Sequence, residues 1–338
     1  MPLSFWSKRF PRLARRPRKL PAPHRPFRPC VESLEPRTAP AVLTVTSAAD
    51  THQAGLLTLR EAVAAANTDA AVGQSDTIIF DPALGGATIK LTAGPLEQSG
   101  VSSTATETID GGGWITVSGD DTSGVFTVDT GVTATLTGLT IADGNATNGS
   151  GGGIYNAGTL TITNCNVRGN LVKGTLPNYP EGGGIYNADT LTVTASTFSG
   201  NSALAGPGSF GGGIANNARM TVIDSTFSVN SAGMGAGGGI YNGGTLTLSA
   251  STLAGNSALY AGGIENYGTL TLSNSTLSGN AAASFGGGLW SAAFAPVAVV
   301  LTDVTITANR ANTAGLAVKA AASSSIPALT GGRCCTTR

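Results

Sequence analysis

Charge is scarce in this 338-residue chain: Asp, Glu, Lys and Arg together make up 11% of it, where an ordinary globular protein carries about 25%. That shortfall speaks against a chemically dense cleft and for a regular scaffold. Aromatic residues are few, at 6%, and His24 and His52 are the only histidines. Both precede the repeats described below, so no serine or cysteine triad can be assembled within them. The four cysteines, Cys30, Cys165, Cys334 and Cys335, show no C-x-x-C spacing for zinc or redox work. No run of about 18 apolar residues is present to cross a membrane. A standard secretory signal, with its continuous apolar stretch of about 7–15 residues, is also missing before residue 41.

The charge that is there is unevenly placed. Residues 1–40 hold ten of the 19 Lys and Arg but two of the 19 acids, so a basic leader precedes a mildly acidic body. The leader, "KRFPRLARRPRKLPAPHRPFRP", is rich in Pro and Arg without an apolar face, and we expect residues 1–41 to be a disordered targeting or processing segment. Its basic residues are not interleaved with stacking aromatics in a regular way, so nucleic acid is not expected as a partner.

Glycine is abundant, with 48 residues, and it marks a repeat. "GGGIYNAGTLTITNCNVRGN" at 151 returns as "GGGIYNADTLTVTASTFSGN" at 182 and "GGGIYNGGTLTLSASTLAGN" at 237; further copies start at 211, 261 and 286. The spacings of 31, 29, 26, 24 and 25 residues are those of a solenoid or propeller. A propeller blade needs four strands in about 40 residues, and these units are shorter. "TLTIT" and its equivalents alternate as half-buried strands do, which directs Leu160, Leu191, Leu246 and Leu270 inward and Thr161, Thr192, Thr247 and Thr271 outward. Three strands fit in each unit: Ile-Tyr-Asn, Thr-Leu-Thr, and a third centred on Val167, Phe198, Phe227, Leu253 and Leu277. The expected fold is all-β, a right-handed parallel β-helix, its coils advancing by roughly 4.8 Å.

Two columns of asparagine recur in this arrangement. Asn156, Asn187, Asn216, Asn242 and Asn266 form one; Asn170, Asn201, Asn230, Asn256, Asn280 and Asn309 form the other. A ladder repeats one group in every coil, whereas catalysis needs one constellation in one place, so these are expected to be structural amide ladders. A G-x-G-x-x-G match at Gly233, Gly235 and Gly238 has no βαβ unit around it and is not a dinucleotide site. Before the repeats, "TLREAVAAAN" has capping-box spacing at Thr58 and Glu61 and one apolar face of Leu59, Ala62, Val63 and Ala66. We expect a helix there that covers the open end of the solenoid.

Three resemblances attach to these residues. Gly-Gly-Gly-Ile with Phe-x-x-Asn, over roughly residues 124–310, resembles the repeats of chlamydial polymorphic outer-membrane proteins and related bacterial β-helix surface proteins. Residues 57–62 with 76–80 resemble the domain known for a Cys-Ser-Leu-Arg-Glu-Ala run, although Leu57 and Thr58 replace its Cys and Ser. "VESLEPRTAPA", residues 31–41, resembles the Leu-Glu-Pro/Asp-Arg motif near the N-terminus of many large planctomycete surface or secreted proteins. Together they imply an exported, unconventionally targeted protein at the cell surface, outer membrane or outside the cell.

β-Helices also carry polysaccharide lyases and hydrolases, which need paired carboxylates or several acidic calcium ligands. Between residues 145 and 309 the acids are Glu181, Asp189, Asp224, Glu265 and Asp303. Asp224 and Asp303 share a column three coils apart, roughly 14 Å, too far to act together. "NTD" at 67–69 and "GDD" at 119–121 are similar to two polygalacturonase motifs, but the Gly-His-Gly and Arg-Ile-Lys motifs of that family are missing. No catalytic residue, metal or cofactor is therefore expected. The outward Thr columns resemble those of ice-binding β-helices but degrade to Ile223, Ser249 and Ser273. The expected contact region is the long loop "LVKGTLPNYPE" at 171–181, with Lys173, Tyr179 and Glu181, on a monomer whose partner is an extracellular carbohydrate or a surface protein. The expected organisation is a leader over 1–41, a cap with first coils over 42–120, repeats over 121–319 and an irregular tail over 320–338.

Overall fold

A computed structural model describes residues 40–101, 104–174, 179–204, 208–292 and 298–312. The leader, apart from its last two residues, and the tail lie outside the described residues, as do residues 313–319 of the repeats. Every pairing between extended strands is parallel and joins one coil to the next. One coil shows the plan: Thr159–Thr163, Asn166–Arg168, Leu171–Lys173 and Ile185–Asn187. Thr190–Thr194 then lies in register on Thr159–Thr163, Leu191 on Leu160 and Val193 on Ile162. The fold is the parallel β-solenoid expected, with one addition.

Most coils of the repeats have a fourth strand, reduced to bridges at Ser231 in the coil of 211–236. Leu171–Lys173 pairs with Asn145–Thr147 on one side and Ser202–Leu204 on the other. Its inward positions are Val172 and Ala203, with Ala258 and Ala282 in later coils. A strand with a single inward side chain, usually Ala, leaves almost no alternating pattern, which is why the repeat reads as three strands.

The interior is a set of vertical columns. Val167, Phe198, Phe227, Leu253 and Leu277 are wholly buried one above another, and the rings of Phe198 and Phe227 stack at 4.7 Å. Both asparagine columns are buried ladders. Nδ2 of Asn187 donates to Oδ1 of Asn216 at 2.7 Å, and the series runs unbroken from Asn156 through Asn266, whose Nδ2 reaches Ser291 Oγ at 3.0 Å. In the second ladder Oδ1 of Asn230 accepts both the backbone N–H of Asn201 and its Nδ2, at 3.0 and 2.9 Å. Ser196, Ser225, Ser251 and Ser275 form a third series, each Oγ accepting the backbone N–H of its counterpart one coil earlier; Cys165 begins that series. The glycine triplets follow from the same stacking: a Cβ on Gly183 would sit 2.4 Å from the carbonyl oxygen of Gly212.

The helix Leu59–Ala70 covers the first coils with Leu59, Ala62, Val63, Ala66 and Ala70. Thr58 and Glu61 make the expected reciprocal capping box. Hydrogen bonds, first from the backbone of Thr58 and then from His52 at 2.5 Å, hold Glu61 down at about 2. Arg60 grips Asp50 through Nε and Nη2 at 2.8 and 3.1 Å and reaches the carbonyls of Gly94 and Pro95. Asp50 accepts in turn from the backbone N–H groups of Thr92 and Ala93. Burial raises Asp50, but these hydrogen bonds outweigh it and leave the carboxyl below its usual range. The Leu-Arg-Glu-Ala run is thus explained residue by residue: Leu59 packs, Arg60 ties the cap to the first coil, and Glu61 caps the helix.

Candidate functional site

The strand after each glycine run has three residues, and its first and third point into the core, as Ile and Asn in five coils and as Leu289 and Ser291 in the last. The middle residue therefore faces out. In register from coil to coil these middle residues are Thr127, Tyr155, Tyr186, Ala215, Tyr241, Glu265 and Trp290. Alongside runs the residue before each triplet: Glu181, Phe210, Ala236 and Tyr260 are bridged in series, and Phe285 follows by accepting a hydrogen bond from Ala261. The position after the asparagine adds Asn217 and Tyr267 on the other side.

All six tyrosines of the chain gather here, as do the two glutamates of the repeats, Glu181 and Glu265. Five tyrosines stand in the three columns. Tyr179 flanks them, its ring lying over Gly208, where a Cβ would come within 2.1 Å of it. The rings contact one another along the axis. Tyr155 and Tyr186 stack at 5.3 Å and 22°, Phe210 and Tyr241 meet at 4.6 Å and 36°, and Tyr267 and Trp290 at 5.2 Å and 63°.

Two acids are set in this aromatic surface. Glu181 Oε2 accepts from Asn217 Nδ2 at 2.6 Å, and the same amide is 3.3 Å from the Tyr186 hydroxyl. Burial raises Glu181 despite that bond. Glu265 is 3% exposed and lies between Tyr241 and Trp290 in its column. Burial lifts it to about 8, opposed by a hydrogen bond from Tyr267, and its Oε2 has no partner. Tyr241 and Tyr267 are raised by burial first, then by the nearby acids. The face therefore presents phenols, one amide and the Glu181 carboxyl, with the Glu265 carboxyl buried among them and raised by that burial. Among the described residues no three His, Cys, Asp or Glu side chains are grouped to hold a metal.

The structure distributes the candidate loop residues unevenly. Lys173 ends the fourth strand of its coil, its carbonyl accepting from Asn148 at 2.6 Å. A Cβ on Gly174 would sit 3.1 Å from Pro180 Cγ; residues 175–178 lie outside the described residues. Tyr179 and Glu181 join the aromatic face, while Lys173 stays on the neighbouring sheet. The polygalacturonase-like residues have structural partners. Asn67 ties Ser99, Gly100 and Glu97 to the helix end, and Asp120 pairs with Lys90 at 2.7 Å. Asp224 and Asp303 both occupy left-handed corners, with φ of 49° and 53°.

Tyr155, Tyr186, Phe210, Tyr241, Tyr260, Glu265, Tyr267, Phe285 and Trp290 do not stand out in a reading that follows the recurring residues. Their signal lies in the positions between the recurring ones: the residue before the glycines, the residue between Ile and Asn, and the one after Asn. Those positions are variable and aromatic-rich at once.

Residues 116–326 match the family described as right handed beta helix region, and the chain belongs to that family. The hand of the solenoid is therefore right. No curated protein matches the chain. Among the described residues no helix is long and apolar enough to cross a membrane.

Proposed function

We propose that this β-helix is a non-enzymatic exported or cell-surface protein, an adhesin, envelope component or display scaffold that holds an extracellular partner on its aromatic face. The observation that carries the reading is the collection of every tyrosine of the chain, with Glu181 and Glu265, on one side of the solenoid. Aromatic residues with polar tips are suited to interfaces that are partly wet, and contiguous exposed apolar surface marks interaction sites.

A carbohydrate-active enzyme of the same fold is the competing reading, and Glu265 is the residue that favours it, because an acid protonated up to about 8 is suited to general-acid work. Its distance from a second acid counts against it. Glu181 stands three coils away, roughly 14 Å along the axis, beyond the roughly 5–9.5 Å that glycoside-hydrolysing carboxylate pairs span. The test is to incubate the full chain with a polysaccharide panel, following binding together with release of reducing and unsaturated ends. Binding that weakens in Phe210→Ala without product is the expected result; product that disappears in Glu265→Gln would make the protein an enzyme.

A further inference from the structure

We infer that the ligand of the aromatic face is an uncharged glycan chain, and that the face discriminates against polyuronates and other anionic polysaccharides. The inference rests on the carbohydrate-binding form of the reading above and adds its substrate class. Three observations carry it.

The first is charge. None of the three columns contains Lys or Arg; Arg219 and Lys173 stand outside them, at the start of one neighbouring strand and the end of another. The three ion pairs among the described residues all lie within residues 50–120, so no base neutralises Glu181 or Glu265. An anionic chain laid along this surface would meet the Glu181 carboxylate with no compensating cation, and like charges juxtaposed at an interface oppose binding.

The second is geometry. The rings pass from nearly coplanar at Tyr155 and Tyr186 to steeply crossed at Tyr267 and Trp290. Coplanar rings cover one another's faces, whereas crossed rings cannot all do so, and Tyr267 and Phe285 are 43% and 38% exposed. Tyr155 at the other end of the face is 37% exposed, so the face offers ring surface of the kind that packs against the C–H face of a sugar along its length, with crossed rings at Tyr267 and Trp290. The third is hydrogen bonding. The Tyr186 hydroxyl, the Asn217 amide and Glu181 form a polar cluster at the N-terminal half, and Glu265, hydrogen-bonded with Tyr267, keeps a buried Oε2 without a partner. A phenol, an amide and one carboxylate set among apolar rings match hydroxyl-rich, uncharged ligands.

The experiment is affinity electrophoresis or calorimetry of the full chain against soluble neutral glycans (a mixed-linkage β-glucan, a galactomannan, a xyloglucan), against polygalacturonate, and against an immobilised panel of cell-surface proteins. The expected result is binding to at least one neutral glycan that is unchanged between 50 mM and 500 mM salt, as an uncharged ligand requires, and no retention by polygalacturonate. Tyr267→Ala and Trp290→Ala should each weaken it by about tenfold or more, as the loss of a central aromatic anchor does. Trp290→Phe should restore most of the affinity, and circular dichroism should show the solenoid intact. Polygalacturonate bound as tightly as a neutral glycan would overturn this inference while leaving the carbohydrate reading standing. Binding to a neutral glycan that folded Tyr267→Ala and Trp290→Ala leave intact would overturn the assigned face. Retention by a surface protein alone, or by no member of the panel, would overturn the carbohydrate reading and this inference with it.

Discussion

Val229 holds φ at 57° at a corner where Gly169, Gly200, Gly255 and Gly279 stand in other coils. A β-branched residue in the left-handed region is strained, and its side chain is 69% exposed, so little burial offsets the strain. Val229→Gly should therefore stabilise the protein by about 1 kcal/mol, even after the extra chain entropy of glycine, which a shift of the urea midpoint would show. Glu265 gives a pH prediction. Its folded value of about 8 lies above the unfolded value of 4.5, so the unfolded chain releases a proton that the folded chain keeps. Stability from this group is full below about 4.5, falls as pH rises, and levels off above about 8. Glu107, lifted by burial to about 7, acts in the same direction. Glu265→Gln should be the more stable protein at pH 8 by about 2–4 kcal/mol and nearly equal to the parent at pH 4, with a flatter profile of melting temperature against pH. A variant that loses stability equally at both pH values would show that the carboxyl group has a structural partner after all.

At the scale of the element, the asparagine ladder is the feature to break. Asn230 takes two hydrogen bonds from Asn201 and gives one each to the carbonyl of Phe198 and to Asn256 Oδ1. Asn230→Ala removes the acceptor of the buried Asn201 N–H and the side-chain donor to the Phe198 carbonyl, while Asn201 Nδ2 keeps Val167 and Asn256 Oδ1 keeps the backbone N–H of residue 230; it should cost about 2–4 kcal/mol in chemical denaturation, far more than Thr221→Ala on the outward face of the same coil. These ladders, the inward leucines and the capping box are legible in the sequence because stacking repeats the same demand in each coil, and a repeated demand selects the same residue. The fourth strand is not, since a single inward Ala per coil carries no periodic signal. The aromatic face is hidden for the opposite reason: its side chains pack on one another outside the core, where residues of different size can succeed one another, as Tyr186, Ala215 and Glu265 do, so no single residue type repeats for an alignment to recognise. Glu181 could be picked out as a loop acid, but its partner Asn217 is 36 residues away and meets it through the coil.

At the scale of the whole molecule, a solenoid is a sum of coils and their neighbour contacts. Residues 237–260 make one complete 24-residue period, since across that interval Asn242 Nδ2 donates to Asn266 Oδ1 and the Ser251 backbone N–H donates to Ser275 Oγ. Deleting 237–260 joins Ala236 to Ala261 with every column still in order. The shortened protein should fold with a lower m-value and lower stability, and unfold in one cooperative transition; loss of the circular dichroism signal would show that the coils are not interchangeable.

The ladders described above also have a direction. Along Asn156 to Asn266 each amide donates towards the C-terminal end and accepts from the N-terminal side, and every strand pairing is parallel. The two ends of the solenoid are therefore unlike surfaces, and two copies could extend one another only head to tail, an arrangement that does not close and grows into a fibre. The helix Leu59–Ala70 lies over the first coils, on the surface that the last coil of another copy would have to occupy. Through Arg60 and Asp50 it is fastened there, so the same device that finishes the core also covers the surface that such a fibre would need.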